Sequence, residues 1–148
     1  MNEPELLFYA RALRRLVIAE ATLIGRSLPL LGRVALKSLV LADGKAELAY
    51  WMVPSARGAG LCPSAVMVLT RWALGQGRFH RIELEHSTAN RASCRVAVKA
   101  GFEKEGVRRG AWLHADGWHD VHLHARIRGD ERSGACSAAR TACVPGQN

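Results

Sequence analysis

A glycine-rich turn set between a β-like run and an apolar helical pattern constrains this chain more than any other feature. Ala46–Val53 reads as a strand and Pro54 breaks it. Ala56-Arg57-Gly58-Ala59-Gly60-Leu61-Cys62 then leads into a pattern with Val66, Leu69 and Ala73 on one face. In such a succession the backbone N–H groups at the helix start converge on the space ahead of it, and glycines, having no Cβ, let a diphosphate come close. Glycines also end strands for structural reasons alone, so the turn must be read with its surroundings.

Those surroundings predict one α/β domain over residues 1–128. Pro4 suits the first turn of a helix whose apolar residues recur up to Gly25. Two β-like runs, Leu30–Leu41 and Ala46–Val53, flank Ala42-Asp43-Gly44-Lys45, a hairpin signal. Pro63 is expected at the first position of a helix reaching Leu74, with Gly75 and Gly77 ending it. Phe79–Glu85 alternates as a half-buried strand, and Asn90 opens a helix that stops at Gly101, where Phe102 packs back. Glu103–Val107 and Val121–Ile127 are the last predicted strands, joined by a long loop carrying Trp112 and Trp118. Val121, Leu123, Ala125 and Ile127 should form one apolar face. Residues 129–148 are small and polar and predict a disordered tail.

The 148 residues are 49% hydrophobic and 23% charged, which suits one globular core and excludes a disordered or coiled-coil chain. No run reaches the roughly 20 apolar residues needed to span a bilayer. Leu16–Ile24 imitates a signal peptide, but Glu20 interrupts it, so a cytoplasmic protein without a membrane partner is expected. Cys62, Cys94, Cys136 and Cys143 form no CxxC pair, and reduced thiols are the simplest expectation. The net charge is +8, and residues 57–109 hold ten basic against four acidic side chains. A basic middle around the turn points to a phosphate-bearing partner, a coenzyme or a nucleic acid.

Four motifs in order, Ala46-Glu47-Leu48-Ala49-Tyr50-Trp51, Arg57-Gly58-Ala59-Gly60, Asn90-Arg91-Ala92-Ser93 and Lys99-Ala100-Gly101-Phe102, resemble the GNAT N-acetyltransferase superfamily, most nearly its RimJ/RimL-like branch. The resemblance covers about residues 31–128. It implies a mixed, mostly antiparallel sheet splayed into a V and flanked by helices, with acetyl-CoA as donor and a primary amine as acceptor. It places the coenzyme diphosphate on Arg57, Gly58, Ala59, Gly60, Leu61 and Cys62, the pantetheine arm on Asn90, and Ser93 near the thioester sulfur. Cys62 stands where the family has a smaller residue and Pro63 removes an N–H, which implies weaker coenzyme binding. The family's frequent tyrosine acid is replaced by Ala97, leaving Ser93 to protonate the leaving thiolate. Backbone N–H groups near Val53, freed where the sheet splays, would receive the carbonyl oxygen.

Direct attack on a thioester needs a neutral amine, a polarised carbonyl and a proton donor for sulfur. An α-amine has a pKa of about 8 and a lysine about 10.4, so deprotonating lysine costs roughly 3 kcal/mol more, and a protein N-terminus is the slightly preferred acceptor. Glu47, acting through water, is the candidate base, with Glu83 and Glu85 as substitutes. An exposed strand carboxylate paired with a cation explains Glu47 equally well, as an ordinary N-cap does Asn90.

Asp120, His122 and His124 share a strand face, but no remote Cys or Glu cluster completes a metal site, so no metal is expected. A nucleic-acid-binding protein is the rival class, disfavoured because basic residues are not interleaved with aromatics. A further alternative is a related domain that binds acetyl-CoA without turnover, because residues 1–29 supply one helix where the family places more. Apolar surface left uncovered there favours a homodimer.

Overall fold

The computed structural model describes residues 31–130. The predicted first helix and nearly all of the predicted tail lie outside them. Strands β1 (Gly32–Val40), β2 (Lys45–Met52), β3 (Arg81–Ser87), β4 (Glu103–His114) and β5 (Gly117–Ile127) form one sheet in the order β1-β2-β3-β5-β4. Helix α1 (Leu61–Leu74) links β2 to β3, and α2 (Arg91–Lys99) links β3 to β4. Only β2 and β3 run parallel; β1–β2, β3–β5 and β4–β5 are antiparallel.

The expected hairpin forms, although its turn is a 3-10 turn over Leu41–Asp43 closed by Gly44 at φ 60°. The Gly44 carbonyl accepts from His80 N at 2.6 Å and Arg81 N at 3.1 Å, which holds the start of β3 beside β2. Helix α1 starts two residues before Pro63, which therefore occupies the third helical position. That position tolerates proline because the first-turn amides have no intrahelical acceptor. Asn90 caps α2, accepting from Ser93 N at 3.0 Å. Gly101 at φ 79° ends the helix, and Phe102 N donates to Ala97 O at 3.0 Å while the ring is buried, as expected.

No long loop separates the last two strands. They extend to His114 and from Gly117, with two residues between them. Gly110, which reads as loop, instead sits at a bulge, since the register shifts between Arg108 and Trp112, as it also does between Lys104 and Gly106 within the predicted strand. Gly110, at φ 53°, donates its N–H to Asp120 Oδ1 at 2.8 Å, which anchors the second bulge.

The core lies between the sheet and α1. Ala46 and Leu48 from β2, Ile82 and Leu84 from β3, and Phe79 before it meet Val66, Leu69 and Ala73. Burying a ring such as Phe79 contributes about 1.5–3 kcal/mol. On β5 the expected apolar face is only partly covered, with Val121 and Ala125 buried and Ile127 exposed. The other face is buried too, through His122 and His124, because Cys94 of α2 lies over it. Cys62 keeps a free, buried thiol, whereas Cys94 is disulfide-bonded, contrary to the expectation of reduced cysteines throughout. Disulfides follow spatial approach, which sequence spacing does not reveal.

Candidate active site

β2 and β3 pair only over Lys45↔Arg81, Ala46↔Ile82 and Glu47↔Glu83, and then part. Each keeps its outer neighbour, β2 as far as Gly32↔Met52 and β3 as far as Ser87↔Val121. Between the parted edges lies a cavity of about 440 Å³, walled in part by Glu47 and Tyr50 of β2, Glu85 and His86 of β3, and Asn90 and Ser93 at the start of α2.

The register determines which amides face the split. Val53 N donates to Leu31 O at 3.0 Å. N–H direction alternates along a strand, so Ala49 and Trp51 also point toward β1, while Leu48 closes the last rung to β3 and Tyr50 and Met52 turn toward the split. The expected free N–H at Val53 is therefore taken, because pairing with β1 continues past the end of β2. The carbonyl-receiving role fits the alternate amides.

Asn90 is both the N-cap of α2 and part of the cavity wall, so capping does not remove it from the cavity. Tyr50 Oη donates to Ser93 O at 3.4 Å, and burial pushes the phenol up from its ordinary value. Ala97, where the family's tyrosine would stand, is fully buried in the core. Tyr50 is thus the phenol beside Ser93. Strand parity, which puts it on the side of Ala46 and Leu48, was the signal for it.

The three carboxylates separate. Glu47 lies on the cavity wall, 2.8 Å from Lys37 Nζ, and accepts from Ser38 Oγ at 3.2 Å. Glu85 shares the wall and pairs with Arg108 at 2.7 Å. Glu83 is not a lining residue; it pairs with Arg81 at 2.8 Å and Lys45 at 3.2 Å. Burial alone would raise its pKa, but hydrogen bonds from Arg81 and Lys45 more than offset that and hold it low.

The last hairpin contributes a hydrogen-bonded chain that the sequence does not reveal. Ser87 Oγ lies 3.0 Å from His119 Nδ1, and His119 Nε2 lies 2.8 Å from Asp116 Oδ1. With Asp116 accepting from Nε2–H, Nδ1 is left to accept from the serine hydroxyl. His114 stacks on His119 at 4.3 Å, and both rings line the cavity with Trp112. Trp118 is 68% exposed and does not line it.

The glycine turn continues β2 beyond the cavity and is not one of its walls. Gly58 and Gly60 have φ of 87° and 76°, and a Cβ at either would meet nothing within 4 Å. Gly60 is the N-cap residue of α1, without a capping side chain. Arg57, Ala59 and Leu61 are exposed and Cys62 is buried, its thiol pushed up by burial. The Arg57 guanidinium donates to Met52 O at 3.2 and 3.3 Å, tying the turn to the end of β2. Ser64 N and Oγ both reach Gly60 O, at 3.3 and 3.0 Å. An open cradle of left-handed glycines before a helix start fits a diphosphate.

A second group of side chains lies under α2. His86, His122 and His124 are buried with Cys94, and one potential ligand atom from each lies within 4.8 Å of all the others. Asp120, which sequence reading grouped with His122 and His124, is exposed and bonded to Gly110 instead. Burial chiefly holds all three imidazoles below their ordinary range, His124 at about 4.

Residues 8–103 match the family model described as acetyltransferase (GNAT) domain. The ribosomal-protein-serine acetyltransferase of Escherichia coli is 30% identical over 98 residues, 66% of this chain and 55% of that protein. Among solved structures, RimL, a ribosomal alpha-N-protein acetyltransferase in complex with coenzyme A, aligns at TM-score 0.63 and 26% identity, over 66% of this chain and 55% of that one. Dodecameric spermidine N-acetyltransferase from Vibrio cholerae aligns at TM-score 0.66 and 20% identity, over 71% and 63% of the two chains, a likeness of fold alone. The chain spans about half the length of the curated relatives it matches. The family match extends over more than half of the sequence and agrees with the splayed sheet, so the chain belongs to the GNAT acetyltransferase family.

Proposed function

We propose that this chain transfers an acetyl group from acetyl-CoA to a primary amine, with a protein N-terminus slightly preferred over a small-molecule amine. The observation that carries the reading is the early end of the β2–β3 ladder, which leaves two strand edges facing one cavity. In this reading the amides and side chains of Arg57, Gly58, Ala59, Gly60, Leu61 and Cys62 hold the coenzyme diphosphate, and Asn90 meets its pantetheine arm. The amides of Tyr50 and Met52 offer donors to the thioester carbonyl, in place of Val53. Acetyl-CoA supplies the activated acyl group.

The residues then divide the proton traffic. Glu47 draws a proton from the amine through water, and Ser93, with Tyr50 beside it, returns one to the sulfur as the C–S bond breaks and the C–N bond forms. Glu85, within the basic stretch, and Asp116, on the last hairpin, place negative charge around the cavity and favour an approaching ammonium. Positioning of the two substrates supplies much of the remaining acceleration. The proposal includes a cytoplasmic location and a homodimer, the latter supported by the exposure of Leu31 and Trp51. Among the described residues no helix is long and apolar enough to cross a membrane.

Calorimetric titration with acetyl-CoA, followed by a thiol-release assay over N-terminal peptides and polyamines, tests the reading. Saturable binding with amine-dependent thiol release is expected. Binding without release would select a non-catalytic homologue, and no binding would overturn both. Sedimentation analysis tests the dimer, which a monomer at all concentrations excludes.

A further inference from the structure

We propose that His86, His122 and His124 form a site for one divalent transition-metal ion of the zinc type, seated beneath α2 and joining β3 to β5. The three rings are brought together by strand register, since His86 and His122 are direct partners and His124 lies one same-face step away, opposite Leu84. They are 3%, 7% and 1% exposed. His86 Nε2 and His124 Nε2 are 3.2 Å apart. Two nitrogens bound at about 2.0 Å to one tetrahedral ion stand roughly 3.3 Å apart.

Proton accounting gives a second, independent reason. His86 Nδ1 lies 2.8 Å from Ser87 O, so it carries the proton and donates, leaving the Nε2 lone pair directed at His124. A backbone carbonyl fixing the tautomer in this way is the usual support of a ligating imidazole. His124 Nε2–H can serve that lone pair, but Nδ1 of His124 and Nδ1 of His122 are then buried without any partner. Buried polar atoms are normally satisfied; with Nε2 of His86 and of His124 as ligands, His124 Nδ1 carries that ring's proton, and the cation takes up the His122 Nδ1 lone pair that no donor among the described residues reaches. The Cys94 sulfur borders the group but is disulfide-bonded, so the imidazoles are the protein ligands and the fourth position is left to a small non-protein ligand. The ion would brace the cavity wall that His86 shares and takes no part in acyl transfer.

The test is titration of the metal-stripped full chain with Co2+, followed by displacement with Zn2+. One equivalent is expected, with visible absorption of tetrahedral intensity that Zn2+ abolishes mole for mole, and with a Zn2+-dependent rise in Tm. His122→Asn and His124→Asn should each weaken Co2+ by at least the roughly hundredfold that even loss of an outer partner can cost. Cys94→Ser and His114→Asn should leave it unchanged. Should the ring variants fail to fold, the wild type is treated with diethyl pyrocarbonate, and Zn2+ is expected to shield the peptides carrying residues 86, 122 and 124. Absence of the Co2+ spectrum, its loss in Cys94→Ser or His114→Asn, or shielding confined to His114 and His119 overturns the proposal.

Discussion

Lys37 and Glu47 stand directly opposite each other across the β1–β2 ladder, with Lys37 Nζ 2.8 Å from Glu47 Oε1. The pair fixes one carboxylate oxygen on the β1 side. Ser38 Oγ, 3.2 Å from Oε2, steadies the other. The carboxylate is held in one orientation at the rim of the cavity, paired with a cation as an ordinary strand carboxylate is.

Glu47→Gln is expected to lower kcat by about a hundredfold, the lower end of what a positioned base supplies, while acetyl-CoA affinity stays within a factor of about two. Steady-state kinetics across pH, paired with calorimetry, measure both. Unchanged turnover at every pH removes Glu47 from this role.

Asp116 orients His119, which in turn engages Ser87. Asp116→Asn should raise the KM for the amine several-fold with little change in kcat, because the carboxylate attracts and orients but does not touch the reacting atoms. An equal fall in kcat would instead make the His119 ring part of the proton path.

Gly60→Ala tests the cradle. A left-handed non-glycine residue costs roughly 1–2 kcal/mol, and a methyl there would project into open space in front of the helix. Acetyl-CoA should bind at least about tenfold more weakly, while circular dichroism shows an intact fold. Undiminished affinity would show that the diphosphate lies elsewhere.

Acid should weaken the sheet through Arg81, which bonds both Glu83 and Glu105. Hydrogen bonds from Arg81 hold Glu105 low, and those from Arg81 and Lys45 outweigh burial at Glu83. A depressed carboxylate pKa gives stability that is complete above the unfolded value near 4.5 and is lost as pH falls through the folded one. Melting curves between pH 7 and 3 should show Tm falling below about pH 4.5, and Arg81→Met should flatten that fall. An identical slope in the variant would assign the acid transition to other groups.

Much of the architecture was legible because it rests on local rules. Asn90 sits where a cap is needed, Gly101 and Phe102 end a helix as their types dictate, and Val66, Leu69 and Ala73 face the core as their spacing requires. Glu47, Asn90 and Ser93 do meet in one cavity. What escaped the sequence depends on register. Whether Val53 or Met52 frees its amide is a matter of strand parity, and Gly110 reads as loop because a bulge and a loop share their composition. His86 joins His122 only through a pairing thirty-six residues apart in sequence, which no spacing rule reports.

The short β2–β3 junction has a mechanical consequence. With three rungs between them, β1–β2 and β3–β5–β4 behave as two leaves sharing a brief seam, bridged elsewhere by α1 packing on both. A coenzyme lying along the open edges would take up backbone donors that no strand satisfies and so stitch the leaves together. Amide exchange at Tyr50 and Met52 should therefore slow on loading far more than at Ala49 and Trp51, whose N–H groups already belong to β1.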